Sequence, residues 1–145
     1  MSGLYLLDTN VIGEIGRDDG DPVILNWLEA INPSDIRVMA LSWGELTFGV
    51  SKLEEGRRRS ALNSWLNMMI NLYQDATLPF DIDSAQIWGR LKAELRLKGT
   101  SKPLIDLQIA ATALRHGLPV VTRNTKHFEG LGLVVINPWS DEIPS

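Results

Sequence analysis

Ser101-Lys-Pro-Leu-Ile-Asp-Leu-Gln-Ile-Ala-Ala-Thr-Ala-Leu-Arg-His-Gly-Leu-Pro-Val-Val-Thr122 is the stretch from which the fold can be read. Its first part carries apolar residues at helical spacing. Pro103 stands early, where a missing amide costs little, and Gly117 stops the helix. The Pro119–Thr122 run then reads as a strand. A helix feeding a continuously apolar strand is the unit of a parallel sheet covered on both faces. At about 100° per residue, Ala110, Leu114, Leu107, Ala113 and Ile109 fall to either side of Asp106. Arg115, Gln108 and Thr112 gather on the opposite side. Asp106 therefore lies in the middle of the face that meets the core. A buried, unpaired carboxylate is costly, so this placement implies either an internal Lys or Arg or a bound cation.

Outward from this stretch, short apolar runs alternate with amphipathic ones. Leu4–Leu7, Arg37–Leu41, Thr77–Phe80 (weakened by its proline) and Leu133–Ile136 read as further strands. Helical patterns cover Asp21–Ile31, about Trp43–Leu53, about Arg57–Tyr73, and Ser84–Leu97 behind Asp83 as N-cap. Two helices thus fall between the second and third strands. The expectation is one domain over residues 1–145, a three-layer α/β/α fold with a central parallel sheet of about five strands. In such sheets a ligand crevice lies beyond the carboxyl ends of the strands.

The composition agrees. The 145 residues are 44% hydrophobic and 22% charged, as expected of a globular chain. With no cysteine, disulfides, thiolate metal sites and cysteine nucleophiles are excluded, and a reducing cytoplasm suits the chain. No apolar run approaches the ~20 residues needed to span a bilayer. The start, Met1-Ser-Gly-Leu-Tyr-Leu-Leu-Asp8, lacks the basic flank and apolar length expected of a signal peptide. The formal charge is −4, but Gln86–Phe128 holds eight basic residues and two acidic ones, which makes that stretch +6 and the remainder −10. Such runs are most often solvated helix faces; here they also offer a basic lobe for a polyanion beside a cluster of carboxylates.

Three acids converge on the strand ends by topology. Asp8 directly follows the first strand, where a turn or cap role competes with a functional one. Ser42-Trp-Gly-Glu45 fits a capping box at the start of a helix, which also puts Glu45 at that edge. Asp106 lies in the first turns of its helix. All-oxygen ligation selects Mg²⁺ or Mn²⁺ over zinc. Such a centre binds phosphate oxygens and activates water, so phosphodiester hydrolysis is the expected chemistry. No glycine-rich phosphate loop, H-E-x-x-H or G-x-S-x-G competes. His116 reads as a partner of a helix C-terminus and His127 as a surface residue.

Five blocks in order resemble the PIN-domain ribonucleases, specifically the VapC-type toxins and their FitB-like, plasmid-stability branch. They are Leu6-Leu-Asp-Thr-Asn10, Ser42-Trp-Gly-Glu-Leu46, Ile105-Asp-Leu-Gln-Ile-Ala-Ala-Thr-Ala113, Val121-Thr-Arg-Asn-Thr-Lys-His-Phe128 and Ile136-Asn-Pro-Trp139. The resemblance spans nearly the whole chain. It implies Mg²⁺- or Mn²⁺-dependent cleavage of RNA, metal coordination by Asp8 and Asp106 with Glu45 in the same cluster, a cognate antitoxin, and a homodimer or a toxin–antitoxin hetero-oligomer. Many members carry a fourth acid after the fourth strand, where this chain has Asn124. An amide brings no charge, so Thr122 and Asn124 are expected to orient a water or a phosphate oxygen, and Arg123 and Lys126 to contact the RNA backbone. The competing reading is a PIN-like binding module without catalysis. Trp65, Leu66, Met68, Met69, Ile70 and Leu72 are expected to pack mainly in the core, with a partner groove as the alternative.

Overall fold

The computed structural model describes residues 3–16 and 19–140. Along them run β1 (Tyr5–Leu7), α1 (Thr9–Ile15), α2 (Pro22–Glu29), β2 (Ile36–Met39), α3 (Ala40–Ser51), α4 (Arg57–Leu72), β3 (Thr77–Leu78), α5 (Ile82–Leu97), α6 (Leu104–His116), β4 (Val120–Val121) and β5 (Val135–Ile136). The strands form one sheet in the order β3-β2-β1-β4-β5, and every pairing is parallel. This is the expected three-layer α/β/α architecture. Leu7 is level with Val38 on one side and with Val121 on the other. The residues that follow β1, β2 and β4 therefore emerge at one edge. Because the chain builds outward from β1 to β3 and then returns to β4 on the other flank, the order reverses between β1 and β4. That reversal point is where open α/β sheets hold ligands.

Strand alternation divides the core. Leu7, Val38 and Val121 face one layer with Val11, Ile12, Trp27 and Leu66, and Leu6, Met39 and Val120 face the other with Leu107, Ile109 and Phe128. One apolar run thus fills both faces, which is why these strands read as continuous rather than alternating.

Several boundaries move. Helix α1 follows β1 immediately and lies outside the helices read from sequence. The second strand is Ile36–Met39 rather than Arg37–Leu41, and α3 begins at Ala40 with no intervening loop. Ala40 and Leu41 are good helix formers, and the Leu41 amide finds the Met39 sulfur at 3.3 Å. The N-cap of α5 is Asp81, whose Oδ1 accepts the Ser84 amide at 2.8 Å, rather than Asp83. Helix α6 starts at Leu104 and ends, as expected, on left-handed Gly117 with φ 66°.

Candidate active site

Asp8 leaves β1 in extended conformation and caps α1. Its Oδ1 accepts the Thr9 amide at 2.7 Å, and its Oδ2 accepts the Thr122 hydroxyl at 2.8 Å and the Asn10 amide at 3.3 Å. The ladder sets this geometry, because Asp8 N–H donates to Val121 O at 2.9 Å and Thr122 N–H to Ile136 O at 2.9 Å. Strand pairing thus brings the residue after β1 against the residue after β4. Asp8 is only 3% exposed.

The Thr122 hydroxyl also accepts the Asn124 amide N–H at 3.0 Å, and Thr122 is fully buried. Its oxygen is engaged on both sides, donating to Asp8 and accepting from Asn124, so it orients the Asp8 carboxylate. Asn124 is exposed at the rim. Asn10 completes the support, since its Oδ1 accepts the Arg123 amide at 3.4 Å.

Asp106 occupies the first turn of α6 and is 6% exposed. No internal Lys or Arg forms an ion pair with it among the described residues; its Oδ2 instead lies 2.6 Å from His127 Nδ1. The expectation that His127 has no partner is therefore corrected, while its side chain, 42% exposed, does stand at the surface as expected. A 3-10 turn over Thr125–Phe128 buries Phe128 in the core and turns the neighbouring imidazole toward α6.

Electrostatics tie the acids together. Burial first, and then the charges of Asp106 and Glu45, push the Asp8 carboxyl up to about 6 against the pull of the Thr122 and Thr9 hydrogen bonds. Burial also raises Asp106, opposed by the His127 hydrogen bond, the His127 charge and the Lys102 charge. Asp8 therefore feels both other acids. Glu45 lies in the second turn of α3 and is half-buried. The capping-box reading fails because Ser42 is already inside the helix, with a buried hydroxyl that has no partner among the described residues.

Among the described residues, no three acidic or imidazole side chains converge closely enough to enclose a cation. The site is an open pair of buried carboxylates, with half-buried Glu45 acting on Asp8 through its charge. That donor set fits Mg²⁺ or Mn²⁺, which are held by one or two carboxylates and complete their shells with water and phosphate oxygens. The energetic case is the same: two carboxylates held against burial and mutual repulsion are stabilised by a shared positive charge.

Around the rim, the Arg123 guanidinium stacks on Trp139 at 4.8 Å, and Trp139 Nε1 donates to Asp21 Oδ2 at 2.9 Å. Lys126 is exposed, and its carbonyl accepts Lys102 Nζ at 3.0 Å. On α4, Leu66 and Met69 are buried, whereas Met68 and Leu72 are 58% and 69% exposed, so that segment serves both core and surface. No helix among the described residues is long and apolar enough to cross a membrane.

Comparison with known proteins places the chain in a family. The PIN domain family model matches residues 5–132. The chain is 35% identical over 137 residues to the VapC ribonuclease Y4jK of Sinorhizobium fredii, covering 94% of this chain and 98% of that protein. It is 34% identical over 139 residues to Toxin FitB of Neisseria gonorrhoeae, covering 95% of this chain and all of that one. Among solved structures, FitAB bound to an IR36 DNA fragment superposes with a TM-score of 0.89 at 31% identity, covering 96% of this chain and 98% of the other.

Proposed function

Because the chain belongs to the PIN-domain family, we propose that it is a divalent-metal-dependent endoribonuclease and the toxin of a type II toxin–antitoxin pair. The observation that carries the activity is the pair Asp8 and Asp106, both nearly excluded from water, with Asp8 raised chiefly by burial and further by the charge of Asp106. Asp8 and Asp106 hold Mg²⁺ or Mn²⁺, with Glu45 supporting the bound ion or its water. When bound, the ion supplies a Lewis acid for a phosphate oxygen and an activated water.

The chain's own residues fix the geometry. Thr9, Asn10 and Thr122 hold the Asp8 carboxylate from three directions. The rim, with exposed Asn124 and Lys126, meets the RNA strand, and the wider basic stretch attracts its backbone. Arg123 is braced on Trp139, which presents its charge at a fixed place.

The toxin role is supported by the named likeness to Toxin FitB and to the FitAB complex. Its partner is a cognate antitoxin, and homodimers or toxin–antitoxin hetero-oligomers are the assemblies proposed. The test is cleavage of RNA by purified protein with Mn²⁺, with and without chelator, alongside Asp8→Asn and Asp106→Asn. The expected result is Mn²⁺-dependent cleavage that falls at least about a hundredfold in both variants. Equal cleavage by all three proteins contradicts the assignment. For the biological role, expression alone is expected to arrest growth, and co-expression of the adjacent antitoxin gene to restore it.

A further inference from the structure

The two central carboxylates are held unequally. Asp8 has three donors on its two oxygens, whereas Asp106 has one polar side chain against it among the described residues, His127. Lys102 acts on Asp106 through its charge, and its ammonium donates to the Lys126 carbonyl at 3.0 Å. Building on the reading of Asp8 and Asp106 as the cation's ligands, we propose that His127 is the positioning residue for Asp106. It donates Nδ1–H to Oδ2 and so turns Oδ1 toward the cation.

The 2.6 Å separation puts Nδ1 within hydrogen-bond distance of Oδ2. A carboxylate accepts only, so Nδ1 carries the proton. The imidazole is itself anchored. Phe128 beside it is 1% exposed, the His127 amide donates to Asn124 O at 3.0 Å, and the Lys126 carbonyl accepts Lys102 Nζ at 3.0 Å. The turn over Thr125–Phe128 is thereby pinned to the core on one side and to the segment before α6 on the other. Among the described residues no hydrogen bond reaches Asp106 Oδ1. Without His127 the Asp106 carboxylate is free to rotate about its terminal torsion, and the ligand loses its preorganisation. In this chain the post-β4 block therefore acts on the metal site through a hydrogen-bond donor at 127, while position 124 carries an uncharged amide.

The test compares the parent with His127→Asn, which keeps a donor near the Nδ1 position, and His127→Leu, which keeps bulk without one. Asp106→Asn serves as the reference. Mn²⁺ affinity is measured by calorimetry on the metal-free protein at pH 8. RNA affinity is measured separately in chelator, and Mn²⁺-bound samples are read by electron spin-echo spectroscopy for directly coordinated nitrogen. The expected results are Mn²⁺ affinity about tenfold or more weaker in His127→Leu and largely restored in His127→Asn. Metal-free RNA affinity stays unchanged, and no nitrogen is coordinated to the ion. Parent-like Mn²⁺ affinity in His127→Leu overturns the proposal. So does a directly coordinated nitrogen that disappears in that variant, which makes His127 a ligand. A loss of RNA affinity with unchanged Mn²⁺ affinity makes His127 an RNA contact instead. If Asp106→Asn binds Mn²⁺ as the parent does, the reading of the site itself fails, a result distinct from any His127 outcome.

Discussion

Asp8 shows what a single side chain costs when it is built for a partner. Its carboxyl is pushed up to about 6 from 3.8, chiefly by burial and then by its acidic neighbours, with two hydrogen bonds opposing. An acid raised on folding binds its proton more tightly in the native state than in the unfolded chain. Its contribution to metal-free stability is thus present below the unfolded value and lost as pH rises through about 6. Two outcomes are expected. Thermal melts of metal-free Asp8→Asn at pH 7.5 give a higher midpoint than the parent, because a neutral amide escapes the penalty. In the parent, Mn²⁺ raises the midpoint at pH 7.5, and that gain shrinks below pH 6 as Asp8 takes up its proton. A metal-induced shift that grows toward pH 5 contradicts the assignment. Residue by residue, Asp106 was legible in the sequence because helical period alone puts it among Ala110, Leu107 and Ala113. His127 was not: nothing in a linear pattern relates it to a carboxylate twenty-one positions away, and only the turn that buries Phe128 brings them together.

At the scale of elements, the long helices and the strand order were readable, and the short or directly joined pieces were not. Helix α1 has seven residues and contains Gly13, so its intrinsic signal is weak; the Asp8 cap and packing of Val11 and Ile12 sustain it. The end of α1 is set against α4. A Cβ on Gly16 falls 2.5 Å from the Trp65 ring. Gly16→Ala is expected to destabilise by about 1–3 kcal/mol in urea unfolding, because the ring must move within a packed layer. The Asn137-Pro-Trp139 ending acts as a brace. Trp139 Nε1 bonds the residue that caps α2, while its ring carries Arg123. Trp139→Phe keeps the stacking surface and drops the donor, so urea unfolding should show a loss of about 1 kcal/mol. No change in midpoint there would mean that the indole bond to Asp21 contributes nothing.

Over the whole molecule, topology does the assembling. The level ends of β1, β2 and β4 and the reversal of strand order between β1 and β4 draw Asp8, Thr122 and, through α6, Asp106 to one edge of a −4 chain that carries a +6 stretch. RNA affinity is expected to fall linearly with the logarithm of salt. Lys126→Glu should reduce that slope by about 0.7 or more. Arg115→Glu should leave it unchanged, because Arg115 already lies 3.3 Å from Asp83 and 3.8 Å from Asp81. Filter-binding titrations across a salt series distinguish the two. The central claim, one cation shared by two buried carboxylates, is tested most directly by anomalous diffraction from crystals of the protein soaked in Mn²⁺. The account predicts a peak within coordinating distance of both Asp8 and Asp106, absent from Asp106→Asn. A peak that touches neither carboxylate, or the same peak undiminished in Asp106→Asn, would contradict it.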